Sequence, residues 1–461
     1  MAGRYRAYPE YKDSGVEWLG EVPCHWDVIQ IKHLSCVKRG ASPRPIDDAK
    51  YFDEDGEYAW TRIADVTASN VYLKESPQKL SDLGSSLSIK LQPGSLFPSI
   101  AGTVGKPCIT GIKACIHDGF VYFPELVIPN KYLFYVFAGG QAYQGLGKFG
   151  TQLNLNTDTV GGIKVGIQEN SELCRIVDFL DHETAKIDTL IEKQQQLITL
   201  LQEKRQAVIS HAVTRGLNPD APMKDSGVEW LGEVPEHWVT KSKLLNFADN
   251  SRGCFVNGPF GSDLLSSELR EEGVPVIYIR DLKTTGYKRV STVFVSKEKA
   301  NQLEVCKTVS GDILIAKVGD PPGDACIYPK DEPVAIITQD VIRIRVNQEE
   351  VSAHYLTMLL NSNYGKLVID DISVESTRKR VSLGDFKSTR FPRPPFEEQV
   401  KIACYINTQC KKLDALIKKA KKAIDLSKER RTALISAAVT GKIDVRSWQP
   451  PTSSSTSEHL Q

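Results

Sequence analysis

The sequence predicts an α/β (α+β) protein. Two domains of mixed α/β fold are separated by two long helices, which form an antiparallel coiled coil, and the whole is a pseudo-twofold internal repeat. Three observations predict it. "KDSGVEWLGEVPCHW", from Lys12, returns as "KDSGVEWLGEVPEHW", from Lys224, 212 residues later (224 − 12), and differs only where Cys24 faces Glu236. "EKRQAVISHAVTRG", from Glu203, matches "ERRTALISAAVTGK", from Glu429, at an offset of 226 (429 − 203). Between each opening and each tail lies a body of short β-type runs and turns that has diverged, such as "YAWTRIADV" in the first copy and "VPVIYIRDL" in the second.

The chain of 461 residues is 41% hydrophobic and 25% charged, with a net charge of +1. That is ordinary globular composition for two to four domains. No apolar run reaches the roughly 20 residues that cross a bilayer, and "MAGRYRAYPEYKDSG" lacks the apolar core of a signal peptide. The ten cysteines form no CxxC pair and no cluster with zinc spacing. The expectation is a cytoplasmic protein with reduced thiols, no membrane association, no metal and no catalytic residue.

The elements follow in order. Residues 1–166 hold the first foot and body, 167–216 the first helix, 217–395 the second foot and body, 396–441 the second helix, and 442–461 a low-complexity tail expected to be disordered. In each foot, Ser14 with Glu17 and Ser226 with Glu229 fit an S-x-x-E capping box, which predicts a short helical turn carrying Trp18 or Trp230. Gly20 and Gly232 would end it, and Pro23 and Pro235 would force an extended exit. The bodies predict a curved, mainly antiparallel sheet followed by helical pieces. Within them "GKPCI" at Gly105 aligns with "GDACI" at Gly323, and "DGFVYF" at Asp118 with "DVIRIR" at Asp340, offsets of 218 and 222.

The tails contain no proline or glycine from Ser171 to Val213. Apolar residues fall at heptad steps, with Ile187, Ile191, Leu201 and Val208 on the first seam and Leu413, Ile417, Ile424 and Leu434 on the second. Arg205 and Arg431 occupy equivalent seam positions (431 − 205 = 226). Antiparallel pairing sets them opposite Tyr405 and Phe179, which predicts cation–π contacts.

This arrangement resembles the specificity subunit of type I restriction–modification enzymes. The carriers are the duplicated "KDSGVEWLGEVPxHW", "PPFEEQVKIACYI" before the second helix, the "EKRQAVISHAVT" and "ERRTALISAAVT" tails, "GPFGSDL" at Gly258 and "GDILIAKVGDPPG" at Gly311. The resemblance implies two target-recognition domains that read a bipartite, asymmetric double-stranded DNA site, one half each. It implies no catalysis and no cofactor on this chain. It also implies two modification (methyltransferase) subunits using S-adenosylmethionine, and restriction (motor–nuclease) subunits using ATP and magnesium. Two identical modification subunits need two equivalent docking surfaces, which explains why foot and helix repeat while the bodies diverge.

Charge argues against a broadly basic DNA face. Residues 1–165 carry 17 basic and 17 acidic side chains, and residues 217–396 carry 23 and 25. The candidate contacts are therefore local: Lys38, Arg39 and Arg44 in the first body, Arg378, Lys379 and Arg380 in the second. Gln152 and Asn154 stand in the first body where Arg378 and Arg380 stand in the second. Amides suit adenine edges and arginine suits guanine. A coiled-coil adapter that binds only protein, and a DNA methyltransferase in its own right, are the alternatives. The latter would rest on Asp320-Pro321-Pro322, but Gly323 follows where an aromatic ring must stack the flipped base.

Overall fold

The computed structural model describes residues 5–144, 146, 155–228, 231–374 and 379–450. They form two compact units, one of Met1–Gln195 with Lys421–Gln461 and one of Gln196–Ala420. The long helices are Asn170–Arg215 and Phe396–Val439. Each is unbroken because no glycine or proline interrupts it, and each stops at a glycine, Gly216 at φ +74° and Gly441 at φ +73°. A side chain is strained at such φ values. It would also collide: a Cβ on Gly441 would lie 2.3 Å from Pro23 Cδ.

Both helices contribute to both units, and within each unit they run antiparallel. In the first, Trp26 meets Glu172 at the start of one helix and Gly441 just past the end of the other, while further along Asp188 meets Arg431. In the second, Trp238 meets Glu398 and Gly216, and Arg205 meets Asp414. Ile187, Leu201, Leu413, Ile424 and Leu434 are buried, and Ile191 and Ile417 are half-buried. Val208 is half-buried too, and Ile209, Ala212 and Val213 beside it are buried in the core that also holds Trp238 and Tyr355. A straight helix drifts about 20° per heptad from a 3.5-residue repeat. Here the helix also faces a body, so its buried face is wider than a two-helix seam.

The cation–π expectation is overturned. Arg431 Nε lies 2.9 Å from Asp188 Oδ1, with Asn70 bridging to both, and Arg205 Nε lies 3.5 Å from Asp414 Oδ1. Phe179 packs edge-on against Tyr5 and Trp448, and Tyr405 is exposed. The two pairs are equivalents in the repeat (431 − 205 = 226, 414 − 188 = 226). A guanidinium desolvated in a seam gains more from a fixed carboxylate than from a ring face. Arg431→Asp is expected to destabilise the first unit by about 1–3 kcal/mol. Joining Arg431→Asp with Asp188→Arg should restore most of that in urea unfolding. No recovery would mean that the pair is not coupled.

The feet are hairpins, and each closes over the short turn expected of it: Leu19 N and Gly20 N donate to Val16 O, as Leu231 N and Gly232 N do to Val228 O. Tyr11–Asp13 pairs antiparallel with Glu21–Pro23, and Met223–Asp225 with Glu233–Pro235. Ser14 N donates to Gly20 O, and Ser14 Oγ accepts from Val16 N. The capping box does not form, because Gly15 and Gly227 at φ near +65° turn the serine hydroxyl onto Val16 N or Val228 N, while Gly20 and Gly232, at φ +61° and +63°, end the turns as expected. Glu229 and Trp230 lie outside the described residues.

The bodies are mainly antiparallel, as expected, but are built of several small sheets and not one curved sheet. In the first, the fully buried Tyr58–Thr61 and Ala114–Ile116 run parallel. In the second, Phe255–Asn257, Val341–Ile344, Ile313–Ala316 and Ala325–Ile327 form an antiparallel sheet, and Val276 and Ile277 pair parallel with Ile336 and Ile337. The first body begins and ends in one antiparallel pair, Asp27–Gln30 with Lys164–Ile167; Val239–Lys243 with Arg390–Arg393 does the same for the second. Each body is thus an insertion closed at its base beside a foot.

The C-terminal segment is ordered further than expected. Ile443 and Val445 are buried, Asp444 N donates to Arg6 O, and the Trp448 ring packs on Phe179. Residues 442–450 are therefore part of the first unit, because apolar side chains in "KIDVRSW" complete its core. Residues 451–461 lie outside the described residues.

Among the described residues no helix is long and apolar enough to cross a membrane. Burial pushes the thiols of Cys108 and Cys115 up to about 11 and that of Cys326 to about 12, whereas Cys24, Cys36, Cys174 and Cys404 are exposed. Alkylation at about pH 8 should therefore modify those four and spare the three, because the thiolate is the nucleophile. Equal labelling of Cys326 and Cys404 would contradict the core described here.

Candidate nucleic-acid interface

In the first unit the chain leaves the foot and pairs Lys38 and Arg39 with Tyr122 and Val121. The next residue must be glycine, since a Cβ on Gly40 would sit 2.1 Å from His117 O. Gly40 N donates to Phe120 O and Ala41 N to Ile116 O. Ser88 Oγ donates to Ala41 O, and the buried Tyr51 hydroxyl donates to Arg44 O at 3.0 Å. The segment is thus pinned while its polar side chains face outward. Arg39 and Arg44 converge on one residue: Arg39 Nε donates to Asp118 O, and Arg44 Nη2 lies 2.8 Å from Asp118 Oδ2. Ser42 Oγ donates to Asp118 Oδ1. Lys38 is exposed.

The second unit carries a different cation cluster. Arg380 pairs with Val318 in an isolated bridge and lies 3.5 Å from Asp340, and Lys379 bonds Asp370. Lys317, 9% exposed, sits beside them; burial lowers its pKa, Arg380 adds to the effect, and Asp340 opposes it. Lys366 bonds Asp324, which lines a surface cleft of about 500 Å³ with Arg280, Lys283, Val318 and Asp320. Asp320-Pro321-Pro322 forms a bend closed by Gly323 N donating to Ala316 O. Gln152, Asn154 and Arg378 lie outside the described residues.

Sequence reasoning missed Asp118, Lys317 and Lys366. The signal for Lys317 was its place at the end of the apolar strand "DILIA", before a turn. Asp118 gave none, being 74 residues from Arg44. The alignment of Asp118 with Asp340 is also off by one. Gly258, whose Cβ would lie 2.2 Å from Ile337 O, stands where Gly40 does, and its N donates to Val341 O as Gly40 N does to Phe120 O. The offset is therefore 221 (341 − 120), and Asp118 corresponds to Gln339.

Two bodies of differing surface chemistry, each closed at its base, on a duplicated frame are what a protein that recognises two unlike targets would need. The comparisons agree. A family model described as the type I restriction modification DNA specificity domain matches residues 261–426. The MjaVIII specificity subunit of Methanocaldococcus jannaschii is 23% identical over 92% of this chain and 94% of its own length. The EcoBI specificity subunit of Escherichia coli is 25% identical over 59% of this chain and 57% of its own. Among solved structures, a chain from work on assembly and conformational transition of the type I R-M system aligns at TM-score 0.68 and 13% identity, over 92% of this chain and 99% of that one. The HsdS subunit from Thermoanaerobacter tengcongensis aligns at 0.51 and 14%, over 92% and 98%. The family model and the curated relatives indicate a type I restriction–modification specificity subunit, a DNA-specificity component and not a catalytic subunit, and the solved structures share its fold.

Proposed function

We propose that this chain gives a type I restriction–modification complex its sequence specificity by reading a bipartite, asymmetric DNA site, one half per body, in the cytoplasm. The observation that carries this is that the contacts of the frame recur while the bodies diverge. The feet, the Trp–Glu clamps and the Arg–Asp pairs recur in both units, while Arg39, Ser42 and Arg44 at Gly40 are replaced by Asn257, Phe260 and Ser262 at Gly258. A recognition part free to vary on a frame that is not is what two unlike half-sites and two like partners require.

The like partners are two modification subunits, joined in the full complex by restriction subunits. S-adenosylmethionine, ATP and magnesium are used on those partners, with no cofactor on this chain. The equivalent leucines Leu190 and Leu416, and Leu200 and Leu426 (both offset 226), are exposed on the long helices and offer apolar docking positions in duplicate. The test is selection from randomised duplex by this chain together with a modification subunit. Enrichment of one bipartite sequence supports the reading. Failure to select any bipartite sequence overturns it, and with no DNA bound at all leaves the protein-binding adapter instead.

A further inference from the structure

We infer that the segment Lys38–Pro45 is the base-reading element of the first unit, that Arg44 reads a guanine edge in the major groove, and that Asp118 is the positioning residue that aims it. This deepens the proposed function and rests on it.

Three features point to base reading. The backbone of the segment is held from four directions, by Phe120 O, Ile116 O, Ser88 and Tyr51. A guanidinium carried on such a backbone loses little further freedom on binding. The Arg44 side chain is nonetheless 75% exposed. One of its nitrogens is fixed on Asp118, which leaves the other donors of the planar fork to face the acceptors O6 and N7 that guanine presents side by side.

The same carboxylate argues against a phosphate contact. Arg44 with Asp118 is a nearly neutral pair, and Asp118 is itself 40% exposed. Phosphate affinity comes from net positive charge and counterion release, so a cation meant for the backbone would not be set against an exposed carboxylate. Base reading depends on short-range donor geometry and tolerates the pairing. The second unit lacks the device: Gln339 stands where Asp118 does, Ser262 where Arg44 does, and Phe260, 58% exposed, where Ser42 does. An exposed apolar ring there suits a thymine methyl more than a guanine edge.

The experiment uses the full chain in complex with its modification subunit and measures methylation across a randomised duplex library at several salt concentrations. Arg44→Gln is expected to relax one position in one half-site by roughly 5- to 150-fold. The other half should be unchanged, and the slope of log affinity against log salt should shift by well under one. Asp118→Asn should relax the same position by less. The double variant should be no worse than Arg44→Gln alone, because Asp118 acts through Arg44; additive losses would make Asp118 merely structural and overturn its role. A salt slope reduced by about one with equal loss on all sequences would make Arg44 a phosphate contact and overturn the assignment. So would unchanged selectivity at both halves in a variant whose wild type selects a bipartite site. A wild type that selects none removes the proposed function itself.

Discussion

Exchanging Ile31–Ile163 for the corresponding body of another specificity subunit will replace one half of the recognised site and leave the other half and the spacer as they were. The boundaries come from the structure. Asp27–Gln30 and Lys164–Ile167 pair antiparallel and close the body at its base. That pair is fused to the frame: a Cβ on Gly166 would lie 2.6 Å from the Trp26 ring. A cut inside the pair keeps Trp26, Glu172 and the antiparallel helix segments intact. The first unit's core also reaches the body through the helix Asn130–Ala138, whose Tyr135 hydroxyl bonds Asp181 on the first long helix. The donor must therefore keep apolar residues at that helix's inward positions. Mapping methylated adenines in a host carrying the hybrid reads the result. A change in both halves, or in neither, would count against one half-site per body.

Removing the clamp tryptophan should have the largest effect on stability. Trp26 is wholly buried, and its Nε1 donates to Glu172 Oε1 at 3.1 Å. Tyr8 and His25 converge on the same carboxylate, which is 7% exposed. Burial, and then Glu172, push the Tyr8 phenol pKa well up. Trp26→Ala removes the ring that joins foot, helix start and helix end, and is expected to cost about 3–5 kcal/mol. Trp26→Phe keeps most of the packing and withdraws one donor from a buried carboxylate, for about 1–3 kcal/mol. Hydrogen exchange should localise both losses to Met1–Gln195 with Lys421–Gln461, and Trp238→Ala should place its own in the other unit, where Trp238 and His237 hold Glu398. Loss spread evenly over both units would show that the feet do not serve their units separately.

The sequence made plain whatever depends on local periodicity or on repetition. The long helices stood out because proline and glycine are absent from them, and the frame because its strings recur. Contacts between distant residues were hidden. Nothing near Arg431 announces Asp188, 243 positions away, so an aromatic ring at the opposite heptad position was the natural but wrong partner. In the feet the short turn at Trp18 and its glycine stop were legible, but the capping box was not, because Gly15 at positive φ turns Ser14 Oγ onto Val16 N. A seam rule alone did not show the burial of Ile209 and Val213, because there the helix also packs on a body. Of the DNA-contact candidates, Arg39 and Arg44 were legible as a local charge run. The residue that organises them, Asp118, lies across a tertiary contact and was not.

The most direct test of the account is the set of adenines methylated by the wild-type chain with its modification subunits. The account predicts one motif of two unlike halves at a fixed spacing, since one frame carries two different readers. A contiguous motif, or a palindrome with identical halves, would contradict it.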